Sequence, residues 1–347
     1  MGPTLRVITS DELKQRLRSK SEHAILDVRR EGDFSKGHLF FASNVPRSLL
    51  EVRIEGLIPK RQVPIALCAE DEASAVDAAR VLAKFGYDDV VVLAEGVEGW
   101  LRDGGHIFSG VNVPSKAFGE FVEKTANTPH ISPQSLKEML DRRENIVIFD
   151  ARPFAESQTM SIPSAIDCPG GELVFRATAN LPAPGAMVVV NCAGRTRSII
   201  GAQSLIDAGI AQRVVALRDG TMGWHLAGYQ LEHAQTRCAV NPADSSLARE
   251  RVTRLARDAG VRSIDTEDID SLRRGDRTVY VFDVRDPLEY MQGHRREAVS
   301  APGGQLLQTL DAFVAVRNAS IVVTDRDGVH APVIAYWLKQ KIGRAHV

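Results

Sequence analysis

Ile148-Phe149-Asp150-Ala151-Arg152 is a short apolar run ending in Asp-x-Arg, and the chain carries it three times. The other copies are Ile25-Leu26-Asp27-Val28-Arg29 and Val281-Phe282-Asp283-Val284-Arg285. In every copy an acid follows the arginine by four positions, as Asp33, Glu156 and Glu289. Two copies continue to Gly-His, at Gly37-His38 and Gly293-His294, where the second has Met160-Ser161. A repeat of this kind decides the architecture, so local structure is read within its frame.

Upstream of each copy lies a helix start. Thr9-Ser10-Asp11-Glu12 reads as a capping box, Ser132-Pro133 as an N-cap with proline at the first helical position, and Asp265-Thr266-Glu267 as an acidic first turn. Downstream come a second apolar strand, a short polar loop and an alanine-rich amphipathic helix; the strands are Pro64-Ile65-Ala66-Leu67, Met187-Val188-Val189-Val190 and Ile321-Val322-Val323. The first two copies close with Val90-Val91-Val92-Leu93 before Gly99-Trp100 and Val214-Val215-Ala216-Leu217 before Gly223-Trp224. The third is expected to stop short of that strand, after Val333–Leu338. Apolar strands alternating with helices predict an α/β fold with parallel sheets covered on both faces.

With 347 residues, the chain is long enough for two or three domains of roughly 100–200 residues. Its 44% hydrophobic and 25% charged content suits a globular protein, and a net charge of −1 gives no basic footprint for nucleic acid. Met1-Gly2-Pro3-Thr4-Leu5-Arg6 has no apolar signal core, and no apolar run approaches the roughly 20 residues of a membrane span. A cytoplasmic protein with no membrane or nucleic-acid partner is expected. Cys68, Cys168, Cys192 and Cys238 are too few and too irregular for a disulfide framework, and none sits in metal-ligand spacing, so neither metal nor cofactor is expected.

Among the cysteines, Cys192 stands out. It opens Cys192-Ala193-Gly194-Arg195-Thr196-Arg197-Ser198, between an apolar strand and a helix expected to begin near Ser198. Helix N-termini favour anions, Gly194 lets the backbone N–H groups converge, and two arginines add positive charge. The loop is expected to hold a thiolate and draw in an anion.

Together, Asp-x-Arg, the acid four residues on, Gly-His, a strand entering a cysteine loop and a closing Gly/Trp turn resemble the rhodanese domain. The resemblance implies tandem domains, each a five-stranded parallel sheet flanked by helices, with the nucleophile on the loop after the fourth strand. It places domain 1 at 1–108, a linker at 109–129, domain 2 at 130–232, a linker at 233–259, and an incomplete domain 3 at 260–341. Ile342-Gly343-Arg344-Ala345-His346-Val347 read as the translation of a common sequencing-adapter start. Those six residues, 342–347, are expected to be foreign to the fold, and the native chain to continue through domain 3 and into a fourth.

The implied activity is that of a thiosulfate sulfurtransferase. Cys192 attacks the outer sulfur of a small anionic donor, becomes a persulfide, and yields the sulfur to a thiol or cyanide acceptor, with a protein donor or acceptor as the other option. Arg197 would support the loop and the departing oxyanion. Ala193, Gly194, Arg195, Thr196, Ser198 and Trp224 would bind substrate, and Asp150, Arg152 and Glu156 would form a structural frame. Two other classes compete: a persulfide carrier or sensor with silent domains as docking modules, and a Cys-dependent phosphatase or arsenate reductase. Enzymes of the last kind carry Cys-x5-Arg, one residue wider than the loop here.

The other copies read as silent. Cys68 is placed at the strand end equivalent to Cys192, but Ala69-Glu70-Asp71-Glu72-Ala73-Ser74 offers three acids and no arginine; aligning Gly86 with Gly209 makes this loop one residue longer and puts Ser74 at the arginine position, with the same result. The third copy has Thr324-Asp325-Arg326-Asp327-Gly328-Val329-His330, with no cysteine and with His330 near the arginine position as a cap or surface residue rather than a catalyst. Cys168 is read as structural beside the active-site mouth, Cys238 as incidental, and His38 and His294 as turn residues. The arginines Arg249, Arg251, Arg254 and Arg257 form a solvated helix face.

Overall fold

In the computed structural model, residues 6–183, 185–210, 213–343 and 345–347 are described. The chain forms two compact units: residues 6–114, 265–280 and 309–321 in one, and 115–264, 281–308 and 322–347 in the other. Segments of the third repeat fall in both.

The first unit is built on a sheet ordered Arg6–Ile8, Val90–Leu93, Ile65–Cys68, His23–Asp27, with Ser43–Asn44 also paired to His23–Asp27, all parallel. Val316–Arg317 adds an antiparallel strand to His23–Asp27. The central strands are buried throughout, as expected of strands covered on both faces. Thr9 caps the helix Ser10–Arg18 in the capping box that its sequence announced, exchanging bonds with Glu12.

In the second unit the sheet runs His130–Ile131, Arg213–Leu217, Met187–Asn191, Ile146–Asp150, Ile166–Asp167, five parallel strands. Val188, Val189 and Val190 are fully buried, so the strand feeding the cysteine loop is the most enclosed element of this sheet. Ser132 caps Pro133–Asp141, with the proline in the first turn. The third repeat supplies a sheet ordered Val299–Ser300, Val279–Asp283, Ser320–Thr324, Ala345–His346. Ala345–His346 lies at its edge, and Val347 exchanges backbone bonds with Arg262 and Ile264.

Candidate functional site

The Asp-x-Arg signature makes the same clamp three times. Arg152 Nε donates to Asp150 Oδ1 at 2.9 Å and its Nη2 to Asp150 Oδ2 at 2.6 Å, then reaches the Met160 carbonyl at 2.6 Å. Arg29 does this with Asp27 and the Gly37 carbonyl, and Arg285 with Asp283 and the Gly293 carbonyl. Each clamp pins the end of the helix after the strand to the strand itself. Asn191, fully buried, ties the clamp to the next element, donating to Asp150 Oδ2 at 3.2 Å and Thr221 Oγ1 at 3.0 Å.

Sheet register then fixes which residues of the three loops correspond. Asp150 lies opposite Asn191, and Asp27 lies opposite Cys68. The backbone agrees: Ala151 N–H donates to the Asn191 carbonyl, Val28 N–H to that of Cys68, and Val284 N–H to that of Thr324. Cys68 is therefore the counterpart of Asn191, and the counterparts of Cys192 are Ala69 and Asp325. The expectation that Cys68 occupies the nucleophile's place is corrected by one position. Cys68 belongs to the strand, where complete burial and the Asp27 carboxylate push its thiol far up, despite Arg29. In that first loop Asp71, exposed, caps the helix Glu72–Lys84 and accepts from Ser74 N–H at 2.7 Å.

Cys192 is 2% exposed, and its thiol donates to Ser198 Oγ at 3.5 Å; Ser198 Oγ donates onward to the Arg195 carbonyl at 2.8 Å. The following helix, Thr196–Asp207, starts two residues earlier than the sequence suggested, and its N-cap Arg195 makes no side-chain cap bond. Its first N–H groups thus have no partner of their own in the helix. The third repeat shows what such a loop does with an anion. There Asp325 stands in the place of Cys192, and its carboxylate accepts from the N–H groups of Gly328 at 2.9 Å, Val329 at 2.8 Å, His330 at 2.7 Å and Ala331 at 3.0 Å. By register these are the counterparts of Arg195, Thr196, Arg197 and Ser198.

Arg197 bonds both Glu156 carboxylate oxygens at 2.8 Å and Gln305 Oε1 at 3.2 Å. Burial opposes both charges of the Arg197–Glu156 pair but the pairing prevails, holding Glu156 below the usual carboxylate range and Arg197 above its usual value, with the charge of a Cys192 thiolate adding to the latter. Arg195 is half exposed and ion-paired with Glu123. Gly194, Arg195 and Thr196 border a groove of about 710 Å³ whose walls also carry Lys116, Arg218 and Met222.

Trp224, expected to line the pocket, is 1% exposed in the core with Ile148, Val189 and Leu217, its indole N–H on the Gln230 carbonyl. A ring of that size at the foot of a short helix is better housed in the core, and Met222, Gly223 and Leu226 of that helix border the groove instead. Sequence reasoning also passed over Gly220. It has φ +54°, and Thr221 N–H and Met222 N–H beside it donate to the carbonyls of Cys192 at 2.8 Å and Ala193 at 3.0 Å. Its counterpart Gly96 has φ +55° against Ala69, so the recurrence of a glycine before each Gly/Trp turn was the available signal. Cys168 is fully buried, its thiol pushed well up by burial and by Glu172, and Cys238 is exposed.

His330 is 1% exposed and bonds Glu172 at 2.9 Å, while Arg176 lies 3.2 Å from the same carboxylate. Burial works against both charges, but the pairing raises the His330 value and lowers that of Glu172. The His330 charge therefore stabilises the fold below the ordinary histidine range and ceases to as pH climbs through its raised value; that of Glu172 does so above the ordinary carboxylate range and ceases as pH falls through its lowered value. His330→Leu is expected to destabilise by about 3–5 kcal/mol in the window between, by leaving Glu172 buried with one partner fewer. Melting temperatures across pH check this, and a deficit identical at every pH would contradict the pairing.

Among the described residues no cluster of His, Cys, Asp or Glu suits a metal ion, and no helix is long and apolar enough to cross a membrane.

The second repeat thus sets a strand-end cysteine on a parallel sheet directly before a helix whose N-cap makes no side-chain bond. The rhodanese-like domain family matches residues 9–103, 132–227 and 265–347, and the chain belongs to that family, with three such domains in tandem. It is 46% identical to a thiosulfate sulfurtransferase from Pseudomonas aeruginosa, whose crystal structure superposes with a TM-score of 0.96 over 99% of this chain and 66% of that one. The chain thus spans about two thirds of that protein. It is also 32% identical over 97 residues to the uncharacterized protein YibN of Escherichia coli K12, covering 28% of this chain and 67% of YibN. YrkF of Bacillus subtilis, whose name proposes a sulfur carrier, is 24% identical over 136 residues, 37% of this chain and 72% of YrkF.

Proposed function

We propose that the second repeat is a sulfurtransferase that moves sulfane sulfur from thiosulfate, or a similar small anionic donor, to a thiol or cyanide through a persulfide on Cys192. One observation carries the reading: the loop that in the third repeat wraps four N–H groups around the Asp325 carboxylate presents, in the second, a cysteine at the same place. An anionic sulfur there gains the same donors, preorganised before substrate arrives.

In the first half-reaction the Cys192 thiolate attacks the outer sulfur of thiosulfate. The Sγ–S bond forms, the S–S bond of the donor breaks, and sulfite leaves with its electron pair. In the second, the acceptor's lone pair takes the outer sulfur and the Cys192 thiolate is restored. Arg197, fixed by Glu156, supplies positive charge at the loop, and Arg195 at the groove faces the incoming donor. Four free cysteines suit a reducing, cytoplasmic setting. A carrier that passes the sulfur to a protein acceptor would use the same steps, and the two silent loops favour docking roles for their repeats.

Thiosulfate alone should release a stoichiometric burst of sulfite, and steady-state kinetics with cyanide should give parallel double-reciprocal lines. Cys192-dependent hydrolysis of p-nitrophenyl phosphate with no sulfite burst would move the protein to the phosphatase class.

A further inference from the structure

We propose that Gln305, from the catalytically silent third repeat, is a positioning residue of the Cys192 site: it fixes the Arg197 guanidinium from the side that Glu156 leaves open. The inference rests on the functional reading above. It begins with a motif shared by the two repeats, Pro169-Gly170-Gly171-Glu172 and Pro302-Gly303-Gly304-Gln305. These segments meet back to back. A Cβ on Gly304 would lie 3.3 Å from Gly170 N, one on Gly171 would lie 3.4 Å from Gly303 Cα, and one on Gly303 would strike Ile334 Cδ1 at 2.5 Å.

Contact between the glycines sends the fourth residue of each motif into the other repeat's loop. Gln305 accepts from Arg197 of the second repeat, and Glu172 bonds His330 of the third, the residue in the place of Arg197. The two crossed contacts are equivalent in position and opposite in charge balance. Around His330 the cation meets the Glu172 carboxylate, and the loop's anion, Asp325, is built in. Arg197 already shares its charge with the Glu156 carboxylate, so a second carboxylate at 305 would leave the group net negative and repel an incoming dianion. A neutral amide gives Arg197 an acceptor and leaves the field at Cys192 intact. The third repeat is thereby half of the binding site's support, although it has no nucleophile of its own.

The test uses the full chain. Gln305→Met keeps the length and loses the acceptor; kcat with thiosulfate is expected to fall about ten-fold, the lower end of the scale of one hydrogen bond to a charged group, with KM nearly unchanged. Gln305→Glu restores an acceptor, so kcat should return close to wild type while KM for thiosulfate rises through repulsion. A second readout needs no sulfur transfer: the ratio of Cys192 alkylation rates by iodoacetate and by iodoacetamide, which reports the cation beside the thiolate, should fall in Gln305→Met. If the wild type takes no sulfur from thiosulfate while this ratio still falls, the sulfurtransferase reading fails and the role of Gln305 stands. If Gln305→Met leaves kcat and the ratio unchanged, or if Gln305→Glu loses as much kcat as Gln305→Met, the positioning role is overturned.

Discussion

Cys192→Ser is expected to eliminate sulfur transfer from thiosulfate to cyanide, a loss on the order of a thousand-fold or more, while Cys68→Ala keeps the wild-type rate. The contrast follows from register. Cys192 lies one residue past the strand, where the helix Thr196–Asp207 begins without a side-chain cap, and where the third repeat gathers four N–H groups around a carboxylate. Cys68 lies inside its strand opposite Asp27, fully buried, with its thiol held protonated by burial and the neighbouring carboxylate. A serine hydroxyl at 192 would neither ionise near neutral pH nor form a persulfide. Thiocyanate formation by the purified variants checks both halves, and residual turnover in Cys192→Ser that disappears on also removing Cys68 would reverse the assignment.

Gly220→Ala should also be strongly damaging, without touching a reacting group. The backbone there has φ +54°, which costs a side-chain-bearing residue about 1 kcal/mol, and the new Cβ would come within 2.2 Å of the Cys192 carbonyl and 2.7 Å of the Gly194 carbonyl. Neither contact can be relieved by turning a side chain, because both partners are backbone atoms of the nucleophile loop. The loop must move, and with it the N–H groups that receive the anionic sulfur. A loss of about a hundred-fold in kcat/KM is expected, equivalent to roughly 2.7 kcal/mol of transition-state stabilisation. Gly228→Ala is the control: φ is +83° there as well, but nothing lies within 4 Å of the added methyl, so some stability should be lost and activity kept. Equal activity losses in the two variants would show that backbone strain, rather than displacement of the loop, is responsible.

Much of this could be read from the residues. The threefold Asp-x-Arg, the caps Thr9 and Ser132, the acidic helix start at Asp265, which the structure shows to be the cap itself, and the valine-rich strand before Cys192 follow local rules of period, cap and burial. Equivalence across the loops was half legible: Cys68 and Cys192 both follow an apolar run, the glycines Gly86 and Gly209 announce a one-residue difference, and strand pairing places that difference at the nucleophile's own position. With Ala69 in the nucleophile's place, Gly86 follows it by 17 positions, as Gly209 follows Cys192. Asp325 shows the same limit from the other side: as a sequence it is the loss of a cysteine, and only its four N–H partners show that the loop still binds an anion, its own. Trp224 was misplaced because a Gly-Trp turn announces proximity to the loop but not which face the ring takes, and burial took it into the core. Gln305 was invisible because its contact with Arg197 spans more than a hundred residues and depends on two glycine pairs packing face to face.

The most direct test of the central claim is intact-mass spectrometry of the full chain after incubation with thiosulfate and removal of excess donor. The chain is expected to gain one sulfur atom, mapped by peptide analysis to Cys192, discharged by cyanide and absent from Cys192→Ser. A chain that remains at its unmodified mass, or one in which the added sulfur maps to Cys68, Cys168 or Cys238, would contradict that claim.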